Sequence, residues 1–156
     1  RVAVATGALF LIVAATALLG WAITRSGVMI EIALALSSAV STKAELLLII
    51  AGLCLLVGLF MEPIAALVLL VPILLPAVKV LQIDTVQFGI VTVLSLMLGL
   101  LTPPVGILLF AVARIADLSV AEMTRAVLPF LIPLVAVLLI VIFFPGVVLA
   151  LPRWLS

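Results

Sequence analysis

The run Gly99-Leu100-Leu101-Thr102-Pro103-Pro104-Val105-Gly106 sets two helix breakers and two glycines between apolar stretches that would otherwise read as one membrane-crossing helix. Proline lacks a backbone N–H and its ring clashes with the carbonyl four residues back, so a helix is expected to stop here. In hydrocarbon every freed N–H or C=O needs a partner. A broken segment persists there only where protein buries it or where it lines a watery cavity. The break therefore predicts a discontinuous helix and marks a candidate site; the alternative is a plain loop joining two helices outside the membrane.

Composition identifies the solvent as a bilayer. Of 156 residues, 69% are hydrophobic and 8% charged, and mean hydropathy is +1.75, whereas a soluble domain carries about 25% charged residues. The chain reads as an all-α, polytopic membrane protein with broken helices or re-entrant hairpins. Seven Lys and Arg against six Asp and Glu leave a formal charge of +1, which provides no basic field for nucleic acid. The absence of His and the single Cys remove His-based triads, Cys-rich metal sites and disulfide frameworks. No enzymatic activity is expected, and Cys54 reads as a small packing residue. Lipid, other helices and a small solute are the expected partners.

Breakers and capping signals divide the chain. Residues 1–43 hold a spanning helix, Val2 to Ile23, and an amphipathic connector, Val28 to Val40. Because the chain opens on Arg1 and runs into an apolar stretch longer than the roughly 7–15 residues of a signal-peptide core, it is expected to be a piece of a longer polypeptide. Residues 44–126 contain both breaks. Thr42 and Glu45 stand at capping-box spacing ahead of a helix over Ala44 to Phe60. Glu62-Pro63 then interrupts the pattern, and the apolar run from Ile64 to about Lys79 and Gln82 should kink at Pro72 and Pro76. Asp84 with Gln87 repeats the capping spacing before Val86 to Leu101, Val105 to Ala116 follows the break, and Ser119 with Glu122 forms a further capping box. Residues 127–156 form a last span, Leu128 to Leu151, with kinks expected at Pro133 and Pro145 and an interfacial anchor at Arg153 and Trp154. Lys43, Lys79, Arg114 and Arg125 fall near helix ends, as headgroup anchors do.

The two breaks share a form, in which a glycine precedes a proline beside a polar side chain: Gly58 before Glu62-Pro63, and Gly99 before Thr102-Pro103. Paired discontinuous helices are the sequence pointer to the binding site of a secondary transporter. Unwound carbonyls offer oxygen to a cation, and half-helix N-termini offer N–H groups to an anion. Thr102 adds a hydroxyl beside the carbonyls around Gly99, an oxygen set suited to a hard alkali cation. Thr102 and the carbonyls of Gly99, Leu100 and Leu101 are thus the expected sodium ligands, with Glu62 and Ser95 in the wider ion and substrate region. A charge at mid-bilayer costs about 2.5–3.5 kcal/mol on insertion scales, so Glu62 should be a ligand or orienter, a protonation site, or a structurally paired or interfacial carboxylate. Ser95 either faces the same cavity or bonds back to the carbonyl of residue 91.

Gly58-Leu59-Phe60-Met61-Glu62-Pro63-Ile64-Ala65-Ala66, Val71-Pro72-Ile73-Leu74-Leu75-Pro76, Phe88-Gly89-Ile90 and the Gly99–Gly106 run together resemble the C-terminal half of the large membrane subunit of TRAP transporters, the DctM type. Ser95, where Asn is common, and Pro63 depart from that pattern. The resemblance implies one inverted-repeat half of an elevator-type importer in the bacterial inner membrane, moving carboxylate-bearing solutes with sodium. It implies that Gly99, Thr102 and Pro103 form the sodium site while Gly58, Glu62, Pro104 and Gly106 belong to the ion and substrate region. It also implies a small membrane subunit (DctQ type), a periplasmic substrate-binding protein (DctP type) and an N-terminal repeat of the same subunit that completes the site. Two other readings stand beside it: a proton-coupled carrier that uses Glu62, and a structural membrane subunit with no transport role.

Overall fold

The computed structural model describes residues 40–103 and 106–155, with only scattered positions before residue 40. More than half of the expected span over 2–23 and most of the connector over 28–40 lie outside the described residues, as does Pro104; the span positions that are described are helical. Six helices follow in order: α1 Lys43–Gly58, α2 Pro63–Val80, α3 Thr85–Leu101, α4 Ile107–Ala116, α5 Val120–Phe143 and α6 Pro145–Leu155. The fold is that of an all-α membrane protein. Among the described residues, α2 and α5 are long and apolar enough to cross a bilayer.

Local chemistry sets the helix starts. The Thr42 hydroxyl accepts from the Glu45 amide at 3.2 Å, while Glu45 Oε2 accepts from the Ser41 and Thr42 amides at 2.7 and 3.1 Å. Ser119 and Glu122 repeat this reciprocal box at α5. Removing such a cap costs about 1 kcal/mol. Thr42→Ala should therefore lower the unfolding free energy of the intact protein by about that amount, and Thr42→Ser should leave it nearly unchanged; equal melting temperatures for Thr42→Ala and the parent would contradict the assignment. Pro63 occupies the first turn of α2, where its missing N–H is no loss. Pro72 and Pro76 lie inside α2 without ending it.

Three expectations are corrected. Asp84 does cap α3, accepting from the Val86 amide at 2.8 Å, but Gln87 does not reach back to close a box; its buried amide turns to another helix. The last long helix starts at Val120 rather than Leu128, because its capping box, not the apolar run, fixes its origin. The boundary drawn between residues 126 and 127 therefore falls inside α5. Finally, Pro145 does not lie inside a helix but at the junction of α5 and α6, whereas Pro133, like Pro129, is inside α5.

Long-range contacts give the topology. Lys43 Nζ donates to the Gln82 carbonyl at 2.8 Å, so α1 begins where α2 ends. These two helices are the arms of a hairpin whose tip is residues 59–62. The return is closed by Gln82, whose φ of 52° lies in the left-handed region. Its N–H bonds Lys79 O at 3.1 Å and Ile83 N–H bonds Val78 O at 3.0 Å, the two bonds of a Schellman motif. Gln87, near the start of α3, donates to the carbonyls of Val141 and Ile142, so α3 begins where α5 ends. Leu109 and Ala113 of α4 pack with Met123 near the start of α5. Accordingly α3 and α4 run in sequence against α5. Their lengths, about 25 and 15 Å, together match the roughly 36 Å of α5. The break at Thr102–Gly106 thus divides one discontinuous span, and the break at Gly58–Pro63 is the tip of a hairpin.

One core joins these parts. Leu47, Ile50, Ala51 and Cys54 of α1 are buried at helical spacing, as are Phe88, Val91, Thr92 and Ser95 of α3. Leu138, Val141 and Ile142 of α5 belong to the same cluster.

Candidate functional site

The hairpin tip and the helix break come together because two glycines let the backbones touch. A Cβ placed on Gly58 would lie 2.5 Å from the Leu96 carbonyl oxygen, and one on Gly99 would lie 2.9 Å from Cα and C of Gly58 and closer still to the Leu55 carbonyl. Small residues at such a crossing are how membrane helices approach closely.

Beside this crossing is a cavity of about 250 Å³ lined by Glu62, Pro63, Leu100, Leu108 and Ala111. The hairpin tip supplies the first two residues, α3 the third, and α4 the last two. Glu62 is the polar member. It adopts an extended conformation as the N-cap of α2 (ψ 134°), and its Oε2 accepts from the Ala65 amide at 3.0 Å. The positive end of the α2 dipole gives this carboxylate a local partner without an arginine or lysine. Only one carboxylate oxygen is used in that bond, so the other remains an acceptor.

At the other break, α3 ends in unusual bonding. Gly99 O has lost its helical donor because residue 103 is proline, and it accepts instead from Thr102 N at 3.0 Å. Leu100 O would take its helical donor from residue 104, also proline, which has no N–H. The Thr102 hydroxyl, half-buried, donates to Leu98 O at 2.6 Å. With its proton directed there, the hydroxyl oxygen keeps lone pairs. Pro103 is half-buried as well. Gly106 opens α4 in the left-handed region at φ 49°, with no side-chain cap. A Cβ on it would meet the end of the flexible Leu109 side chain at 2.7 Å, so the positive φ is what favours glycine here.

The positions singled out in the sequence separate into groups. Gly58 and Gly99 are in contact, and Glu62 meets the last turn of α3 at the cavity. Thr102 and Gly106 flank the same break without lining that cavity. Ser95 is fully buried and its hydroxyl donates to Val91 O at 2.7 Å, away from the cavity; Thr92 does the same with Phe88 O at 2.8 Å. Gln87 went unread as a tertiary group, because Asp-x-x-Gln mimics a local cap. It is 6% exposed, and its Nε2 donates to Val141 O at 2.9 Å and Ile142 O at 3.1 Å. The signal that could have found it lies elsewhere: Pro145 has no N–H for Val141 O, so a donor had to come from another helix.

Comparison with known proteins accords with this geometry. The family model described as "Tripartite ATP-independent periplasmic transporter, DctM component" matches residues 1–147. The chain is 40% identical, over 95% of its length, to the sialic acid TRAP transporter large permease protein SiaM of Vibrio cholerae, of which it covers 35%. It is 35% identical, over 96% of its length, to the sialic acid TRAP transporter permease protein SiaT of Haemophilus influenzae, covering 24% of that protein. Over 70% of its length it is 41% identical to the C4-dicarboxylate TRAP transporter large permease protein DctM of Pseudomonas aeruginosa, covering 26%. The chain thus spans about a third or less of these relatives, and the matches establish its family rather than its place within the longer proteins. On the strength of a match across nearly its whole length, the chain belongs to the DctM component family of the tripartite ATP-independent periplasmic transporters.

Proposed function

We propose that the protein carrying this chain imports a small organic anion, a carboxylate, coupled to sodium, by an elevator-type alternating-access cycle in the bacterial inner membrane. In this reading the solute arrives from a periplasmic binding protein. A small membrane subunit and a second repeat of the large subunit complete the machine. The observation that carries the proposal is the meeting of a hairpin tip with a discontinuous helix at one cavity, the arrangement used by secondary transporters for ion and substrate. Relatives named for sialic acid and for C4-dicarboxylates support an acidic solute.

The two half-helix ends divide the work. At the end of α3, the carbonyls of Gly99 and Leu100 and the Thr102 hydroxyl form an oxygen donor set that fits sodium, with the negative end of the α3 dipole adding to it. The start of α2 is already capped by Glu62. The start of α4 carries no side-chain cap, which leaves its first amides for an anion. A bound sodium ion would supply positive charge beside that anion site, so each ligand strengthens the binding of the other.

Sodium-driven uptake by the intact transporter in proteoliposomes tests the reading. Thr102→Ala should raise the half-activating sodium concentration about ten-fold, the loss of one good ligand contact, and Thr102→Ser should restore it. An unchanged sodium curve would remove Thr102 from the ligand set. Uptake driven by a pH gradient without sodium, and abolished by Glu62→Gln, would replace sodium coupling with protonation of Glu62.

A further inference from the structure

At the far end of the bundle from the Glu62 cavity, where the hairpin arms begin and end, lies a larger cleft of about 500 Å³. Lys43, Lys79, Gln82 and Asp84 line its polar side, and Ile83 and Leu149 its apolar side. We propose that this cleft binds the phosphodiester of a membrane phospholipid headgroup, a role separate from the transport cavity.

Depth is the first argument. Lys43 is the first residue of α1 and Lys79 stands in the last turn of α2, at the same end of two otherwise apolar arms. In a bilayer such lysines sit at headgroup level. The structure holds them on one cleft: the left-handed turn at Gln82 closes the hairpin, and Lys43 Nζ donates to the Gln82 carbonyl at 2.8 Å. An ammonium has three donors, so two remain on Lys43, and the Lys79 side chain is exposed.

Charge is the second. Asp84 is fixed in the same cleft by its bond to the Val86 amide at 2.8 Å. Two ammonium groups and one carboxylate on the same cleft leave one net positive charge, which a singly charged diester neutralises. The third argument is the opposite wall. Ile83 and Leu149 are each 5% exposed, and with Pro145 they form an apolar flank on which glycerol and the first acyl methylenes can rest while the phosphate faces the lysines. A free inorganic ion has no use for such a wall.

The test is titration of the intact transporter, purified in mild detergent, with phosphatidylglycerol, read by native mass spectrometry. Lys79→Gln should weaken lipid binding about five-fold, and Lys43→Gln with Lys79→Gln about twenty-five-fold. Asp84→Asn, which can still cap α3, should strengthen it, and Arg125→Gln, near the opposite end, should leave it unchanged. Inorganic phosphate in large excess should not displace the lipid. Lys43→Gln also removes the contact to Gln82, so the single Lys79→Gln variant is decisive. Parent-like lipid binding by Lys79→Gln, or displacement of the lipid by inorganic phosphate, would overturn the proposal.

Discussion

Gly99→Val is expected to break the α1–α3 crossing, and with it the site, before any ion or solute is bound. The contact is backbone on backbone: a Cβ at Gly99 would stand 2.9 Å from Gly58 Cα and press on the Leu55 carbonyl. No flexible side chain is there to move aside. Overpacking of a tight site costs about 1–3 kcal/mol for small additions, which is the range expected for Gly99→Ala; the branched valine should exceed it. Gly58→Ala should behave alike, since its Cβ would meet Leu96 O at 2.5 Å. Gly52 and Gly89, also helical, have nothing within 4 Å of a built Cβ. Alanine at either of those should be neutral or stabilising by up to about 1 kcal/mol, the propensity gain alone. Thermal melting of the intact protein in detergent separates the two classes. If Gly99→Ala melted with Gly52→Ala, the close crossing would be wrong.

The second large effect is expected at Gln87. Helix α5 ends beside Pro145, which cannot donate to Val141 O, and the Gln87 amide serves both that carbonyl and Ile142 O from inside the protein. Gln87→Leu keeps the volume and removes the donor. Each buried acceptor left unsatisfied costs about 1–3 kcal/mol, so a loss of about 2–6 kcal/mol is expected for the two. Gln87→Glu should be at least as harmful, because it sets an acceptor against two acceptors. Hydrogen exchange across residues 143–149 should rise in both variants, more than in the cap variant Thr42→Ala. Protection equal to the parent would show that the two carbonyls find other donors.

These cases mark what could be read in advance. Capping boxes at Thr42 and Ser119 were legible because donor and acceptor lie three residues apart, and both breaks were legible because proline acts on its own chain neighbours. Their different natures were not. Gly58–Pro63 and Gly99–Pro103 look alike in one dimension, and only the contacts of Lys43 with Gln82 and of Gln87 with α5 make one a hairpin tip and the other an interrupted span. Gln87 was misassigned for the same reason: its local spacing satisfied a capping rule, while the demand it answers arises more than fifty residues later. Glu62 was found as a charge needing a partner, and its partner proved to be the helix it starts. Leu100, Leu108 and Ala111 could not be picked out, being apolar residues in an apolar sequence whose role is set by where α4 packs.

The glycine crossing also limits how the two breaks can move. With no side chain between the α1 and α3 backbones at Gly58 and Gly99, the contact acts as a rigid joint rather than a cushion. Rotation about it would unpack Leu47, Ile50 and Cys54 from the cluster they share with Phe88, Val91 and Leu96, and sliding along it would drive each helix backbone into the bulk of the next side chain. The hairpin tip is therefore held against the interrupted helix in both directions, so Glu62 and the last turn of α3 are carried as one piece.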